Sequence, residues 1–318
     1  MIVTERGRAW WQWLLAYHGT ALPRIKYRLT LVVSVSIVVT WLYHGDHAPF
    51  DYLPHLTTIP FSLVGLALGV FLGFRNNTSY DRYWEGRKLW GALVNTTRSF
   101  ARLSLNVLQA PEEERDGCRS LQRELVIRTA AYTHSLRRSL RNQPSDCPEL
   151  KELLPDGAER QRLAEVSNYP LTILQGTSER LARARRQGWL HDYHVPLMEE
   201  ALSTMMDIQG GCERIRNTPI PHSYSVLIHR IVAVYCFALS FGLVETTGLV
   251  TPIVVLLIAY AFMGLDAVGE EIEEPFGEDV NDLPLAALSR MIEINLRELL
   301  QDHDLPEPLT PDKHGTLH

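Results

Sequence analysis

No lysine or arginine occurs from Leu29 to Phe74, and none from Ile231 to Leu265. Four uncharged apolar runs dominate these two stretches. They are Leu29–Tyr43 (LTLVVSVSIVVTWLY), Thr57–Phe74 (TTIPFSLVGLALGVFLGF), Ile231–Val244 (IVAVYCFALSFGLV) and Leu249–Leu265 (LVTPIVVLLIAYAFMGL). A bilayer span takes about 20 residues, so each run is short, but Lys26 and Arg28 can extend the first by snorkelling. The basic residues lie before the first run, between the second and third, or after the fourth. The connectors HGDHAPFDYLPH and Glu245–Thr251 carry none. The positive-inside rule then predicts four transmembrane helices in two hairpins, with both termini and the long central region in the cytoplasm. A soluble protein with four buried helices would have no reason to sort its charges this way.

This reading divides the chain into five parts. They are a cytoplasmic segment (1–28), a hairpin (29–74), a cytoplasmic helical domain (75–225), a second hairpin (226–265) and a cytoplasmic acidic segment, helix and tail (266–318). Arg6 and Arg8 precede WWQWLLAYHG, which is short and ends without a small-residue cleavage site, so no signal peptide is predicted. The net charge of -6 is modest and argues against nucleic acid as a partner. Cys118, Cys147, Cys212 and Cys236 form no CxxC pair and are expected to be free thiols.

The central region is polar but periodic. In Thr78–Leu108 the apolar positions Tyr83, Trp84, Leu89, Trp90, Leu93, Val94, Phe100, Leu103 and Val107 recur mainly every three to four residues. That spacing predicts a helix continuing from the second run without a proline break. Further helices are predicted over Glu124–Leu140, Thr177–Arg186, Val195–Asn217 and Leu285–Gln301, the third of these opened by Pro196. NQPSDCPELKELLPDG reads as a loop with one helical turn, and the end of the chain, with Pro306, Pro308 and Pro311, as a frayed tail. No βαβ alternation is present.

In the second run, Gly65, Gly69 and Gly73 fall on one helical stripe, where another backbone can approach closely. Ile59, Leu63, Ala67, Val70 and Phe74 lie on a different face, with Leu66 at the border. Periodicity alone leaves two readings open. Both faces can simply pack against protein or lipid, or the glycines can pack the bundle while the other face lines a pore that gates by dewetting.

Three stretches resemble the bestrophin family of ion channels, in its bacterial branch. They are IPFSLVGLALGVFLGFRNNTSYDRYWEGRKLWG (Ile59–Gly91), VPLMEEALSTMMDIQGGCERIRNTPIPHSYS (Val195–Ser225) and EEPFGEDVNDLPL (Glu273–Leu285). PFGED is the most specific motif and FLGFRN the next. The resemblance implies an all-α integral membrane protein assembling as a homopentamer around a central pore, in the bacterial inner membrane. Its partners would be the bilayer, permeant small ions and other copies of itself, and no cofactor is implied. The implied apolar neck corresponds to Ile59, Leu63 and Ala67. Ala67 is smaller than the usual neck residues, which brings in Leu66 and Val70 as alternative neck points. The implied cytoplasmic aperture falls on the helix opened by Pro196, at Leu197, with Ala201 and Met205 as alternative registers. Chloride and sodium both stay open as the conducted ion.

The acidic segment EEIEEPFGEDVNDLPL puts seven carboxylates in sixteen residues. An EF-hand is excluded by spacing. The resemblance implies a calcium clasp, for which Glu278, Asp279 and Asp282 are the candidates, but Val280 and Asn281 interrupt the run and Val280 offers no side-chain oxygen. The bland reading is a helix start, since Asp or Asn near a helix N-terminus is favourable. Two other function classes compete. A membrane enzyme lacks support, because His44, His47, His55 and His229 form no metal-ligand motif and no nucleophile elbow, P-loop or dinucleotide fingerprint is present. A secondary transporter would call for repeated halves and broken helices, and Pro252 at a helix start is ordinary.

Overall fold

A computed structural model of the chain describes residues 1, 16–44, 57–313 and 315–317. The start of the chain around WWQWLL and most of the first connector, with His47 and His55, lie outside the described residues. Among those described, the chain is all-helical, and the one β-bridge joins Leu108 to Leu190. The helices are α1 (Leu22–His44), α2 (Thr58–Val107), α3 (Arg115–Leu140), α4 (Pro148–Leu153), α5 (Gly157–Glu165), α6 (Tyr169–Arg186), α7 (Val195–Asn217), α8 (His222–Thr247), α9 (Thr251–Glu273) and α10 (Leu285–Leu299). Two compact units result. An apolar unit comprises Glu5–Tyr83 and Pro219–Glu274, and a polar unit comprises Met1–Thr4, Trp84–Thr218 and Pro275–His318.

The apolar unit is built from α1, the first half of α2, α8 and α9. Each contributes one narrow buried stripe. On α1 it runs Ile25, Leu29, Val32 and Ser36; on α2, Leu68, Leu72, Arg75 and Ser79. On α8 it runs Ile228, Val232, Cys236 and Leu239, and on α9, Val255, Ala259 and Met263. Steps of three and four are what a 3.6-residue turn requires to keep one face inward. Outside the stripes the helices stay apolar: Leu31, Trp41, Val234 and Leu257 are all more than 60% exposed. Exposed apolar faces on this scale demand a lipid or protein covering. Three helical stretches are long and apolar enough to cross a membrane, Leu22–His44, Thr58–Val107 and His222–Glu273. The last is broken at a 3-10 turn, Gly248–Val250, beyond which α9 packs against α8. Gly248 makes that reversal with φ 58°, a conformation that L side chains rarely adopt.

The polar unit is organised around α3, which α4, α6, α7 and α10 pack against. From Thr129 to Arg137 every α3 residue is buried, so polar groups there must find partners inside. Tyr132 donates to the Met205 carbonyl at 2.8 Å and His134 Nε2 lies 2.9 Å from Glu293 Oε2. Buried Arg128 spans Glu159, Thr177 and the Ile173 carbonyl. Helix starts differ from the sequence expectation in three places, the first being α3, which begins at Arg115 rather than Glu124. α6 begins at Tyr169 rather than Thr177, because Asn168 caps it through Leu171 N–H and Pro170 sits in its first turn. α5 was not expected at all, although Asp156 followed by Glu159 has the spacing of a capping box, and Asp156 does accept from Ala158 N–H. All four cysteines are free and buried.

Candidate ion pathway

α2 is the least covered of the apolar helices. In its most apolar window 17% of residues are buried, against 33% for α1 and 28% for the α8–α9 stretch. At about 100° per residue, its buried stripe and the face carrying Ile59, Leu63, Leu66 and Val70 lie on roughly opposite sides of the helix. Those four residues are 50–75% exposed, and Ala67 and Phe74 are exposed beside them. α2 therefore turns one side to its own subunit and presents an uncharged apolar wall on the other.

The glycine stripe lies on the flank between these two sides. A stripe stepped by four drifts about 40° per step against a 3.6-residue turn. Gly65 is still near the core, where an added Cβ would stand 2.5 Å from the Tyr235 hydroxyl. At Gly69 and Gly73 it would meet nothing within 4 Å. Among the described residues, only Gly65 of the three packs against another helix. Close helix contacts are made instead by Gly242 of α8, whose missing Cβ leaves room for the Phe61 ring, and by Gly269 of α9, which faces Asn76.

The same drift separates the three aperture positions on α7. Leu197 is 47% exposed, Ala201 half-buried and Met205 fully buried in the polar unit, beneath Tyr132. Within one chain Met205 packs inside the polar unit, and Leu197 is the open apolar position of the set.

α2 is anchored by charge as well as packing. Arg75, fully inside the apolar unit, donates to the Asp266 carboxylate at 2.5 Å, and its other arm is 4.0 Å from Glu273. Asp266 also faces Arg28 at 3.9 Å and His229 Nδ1 at 2.7 Å. Arg82 donates to the Glu273 carbonyl, and the Glu273 carboxylate accepts from the Ile220 N–H. The sequence reading did not pair Arg75 with Asp266. The signal was available: an aspartate abutting an apolar run calls for a cationic partner on another helix.

The acidic segment resolves into local pairing rather than a ligand cluster. Phe276 and Leu283 are buried, and Leu283 N–H bonds back to the Pro275 carbonyl at 2.9 Å. Asp282 Oδ2 accepts from Asp279 N–H at 2.7 Å. Glu278 is taken by Gln143 at 2.8 Å and lies 3.6 Å from Arg141. Among the described residues no group of three or more His, Cys, Asp or Glu is placed to hold a metal ion within one chain. A polar-unit cavity lined by Arg123, Arg128, Arg180 and Arg297 is charge-balanced by Glu124, Glu152 and Glu159, which bond to three of these arginines.

The family described as Bacterial/Fungal Bestrophin protein matches residues 1–298. The chain belongs to the bestrophin family. The voltage-dependent anion channel-forming protein of Ralstonia nicotianae is 42% identical to this bestrophin over 93% of the chain and 94% of the relative. The voltage-dependent anion channel-forming protein YneE of Escherichia coli is 37% identical over 97% of each. A bacterial bestrophin homologue from Klebsiella pneumoniae shares the fold with a TM-score of 0.81 and 34% identity, covering 88% of this chain and all of that one. Its family and the channel-forming relatives support an ion channel, and its apolar helices support a membrane protein.

Proposed function

We propose that this bestrophin assembles as a homopentamer whose α2 helices surround a pore for small monovalent ions. The carrying observation is the two-sided α2: a core stripe with Arg75 on one side and exposed Ile59, Leu63, Leu66 and Val70 on the other. Five copies with these residues inward form an apolar neck, which opposes ion entry until it wets. Leu197, exposed at the start of α7, forms a second apolar constriction. α1, α2, α8 and α9 each cross the membrane, with both termini and the polar unit in the cytoplasm, in keeping with the absence of Lys and Arg from the connectors. The Gly69–Gly73 flank, empty within one chain, meets the neighbouring copy.

In the acidic segment Glu271, Glu273 and Glu278 lie close to arginines or backbone donors, while Glu270, Glu274 and Asp279 are exposed. The two relatives' anion-channel names favour chloride over sodium as the permeant ion. Purified protein in planar bilayers under an NaCl gradient tests the whole reading. Unitary currents reversing at the chloride equilibrium potential are expected, and reversal at the sodium potential would reassign the ion. Slow, saturable flux without unitary events would identify a carrier instead, and a native mass other than five subunits would overturn the ring.

A further inference from the structure

We propose that His229 is a proton-sensitive latch that joins α1 to α9 through Arg28 and Asp266 and loosens the support behind α2 when it is protonated. This deepens the channel reading and rests on α2 lining the pathway. Arg28 Nη1 and His229 Nε2 are 2.9 Å apart. A guanidinium can only donate, so Nε2 is the acceptor and carries no proton. The proton of the neutral ring is then on Nδ1, which stands 2.7 Å from Asp266 Oδ2 without the alignment of a hydrogen bond, so that buried oxygen has no hydrogen-bond donor among the described residues. Asp266 is completely buried and also holds Arg75 of α2 at 2.5 Å. One imidazole thus makes contacts toward α1 and α9 at a point where α9 grips α2.

The charges around the ring decide what a proton does. With neutral His229, the cations Arg28 and Arg75 face the anions Asp266 and Glu273, and the set balances. Arg24 and Glu271 form a separate pair at 3.7 Å, and Arg230, next to His229 on α8, is exposed. A second proton on the ring must sit on Nε2, directly against Arg28. The Arg28 bond is lost and two cations oppose each other at hydrogen-bond distance in surroundings of low dielectric. Asp266 is drawn toward the imidazolium, which weakens its hold on Arg75. The His229 side chain is 41% exposed, in contrast to the completely buried Asp266.

His229→Gln tests this, because its amide can both accept from Arg28 and donate to Asp266 but does not titrate. Wild-type currents are expected to change several-fold between about pH 7.5 and 5.5, and the H229Q channel to keep its currents at the upper pH while losing at least half of that response. An unchanged pH response in H229Q overturns the latch while leaving the channel intact; absence of currents at every pH overturns the channel reading. A second measurement does not depend on conduction. Imidazole 15N spectra of the purified protein, assigned by the signal missing in H229Q, should give the Nδ1–H tautomer at the upper pH and the doubly protonated ring at the lower. A ring protonated on Nε2 at the upper pH, or neutral throughout, overturns the proposal.

Discussion

Arg75 and Asp266 meet at 2.5 Å, with 2% and 0% of their side chains exposed. Removing one partner from a buried pair strands the other charge, at a cost of about 3–5 kcal/mol. Asp266→Ala should therefore lower the thermal unfolding midpoint of the detergent-purified protein sharply. Asp266→Asn, which keeps an acceptor oxygen, should cost less. Equal midpoints for both variants and wild type would mean the pair contributes nothing to holding α2.

The neck residues should act on conduction rather than on folding. Leu63 is 69% exposed, so Leu63→Ala removes little packing within the chain. In single-channel records it should raise conductance or open probability at least about twofold by easing wetting of the neck. Leu197→Ala should shift the permeability ratio more than the open probability. Currents unchanged in both would exclude this register.

The glycines separate intrachain from interchain packing. At Gly242 a methyl group would overlap the Phe61 ring, and overpacking of that kind costs about 1–3 kcal/mol. Gly242→Ala should destabilise the isolated subunit. Gly69→Ala meets nothing among the described residues and should leave subunit folding intact while reducing the pentamer fraction in native mass spectra. Retention of the pentamer would assign that flank to lipid.

The polar unit should lose stability in acid. Burial alone would raise the Glu149 carboxyl, but its own backbone N–H at the start of α4 and the Arg137 guanidinium hold it down to about 2, from an ordinary 4.5. Burial would likewise raise Glu293, yet the hydrogen bond from His134, with Arg290 and Arg297 alongside, keeps it below the ordinary value. Both carboxylates bind protons more weakly folded than unfolded. Their contribution is complete above about pH 4.5 and drains away as pH falls toward the folded values. Hydrogen exchange of α3 amides at stepped pH should show protection falling across that window, and less steeply in a Glu149→Gln, Glu293→Gln double variant.

The helical face of α2 was legible in the sequence because apolar periodicity and the absence of charge act along one helix. The same is true of α7, whose bounds Val195–Asn217 match the expected ones. The same local rule sets their surroundings within one chain: a four-residue stripe rotates against a 3.6-residue turn, which carries Met205 into the core and Gly69 and Gly73 away from it. Asp156 and Asn168, short capping signals before α5 and α6, were present in the chain but weak beside the polar composition around them.

By itself, the sequence determined the class of protein, its apolar helices and its family, because each depends on composition, periodicity or motif order along the chain. Only the tertiary structure decided which charges meet. The numbering of Arg28, Arg75, His229 and Asp266 spans most of the chain, and the packing of four helices brings them together. It also decided that PFGEDVNDLPL closes on itself: Asp282 turns to the Asp279 N–H and Glu278 to Gln143. A run of carboxylates specifies charge density, but whether those oxygens converge on an ion or on neighbouring donors depends on backbone direction and on residues distant in the chain.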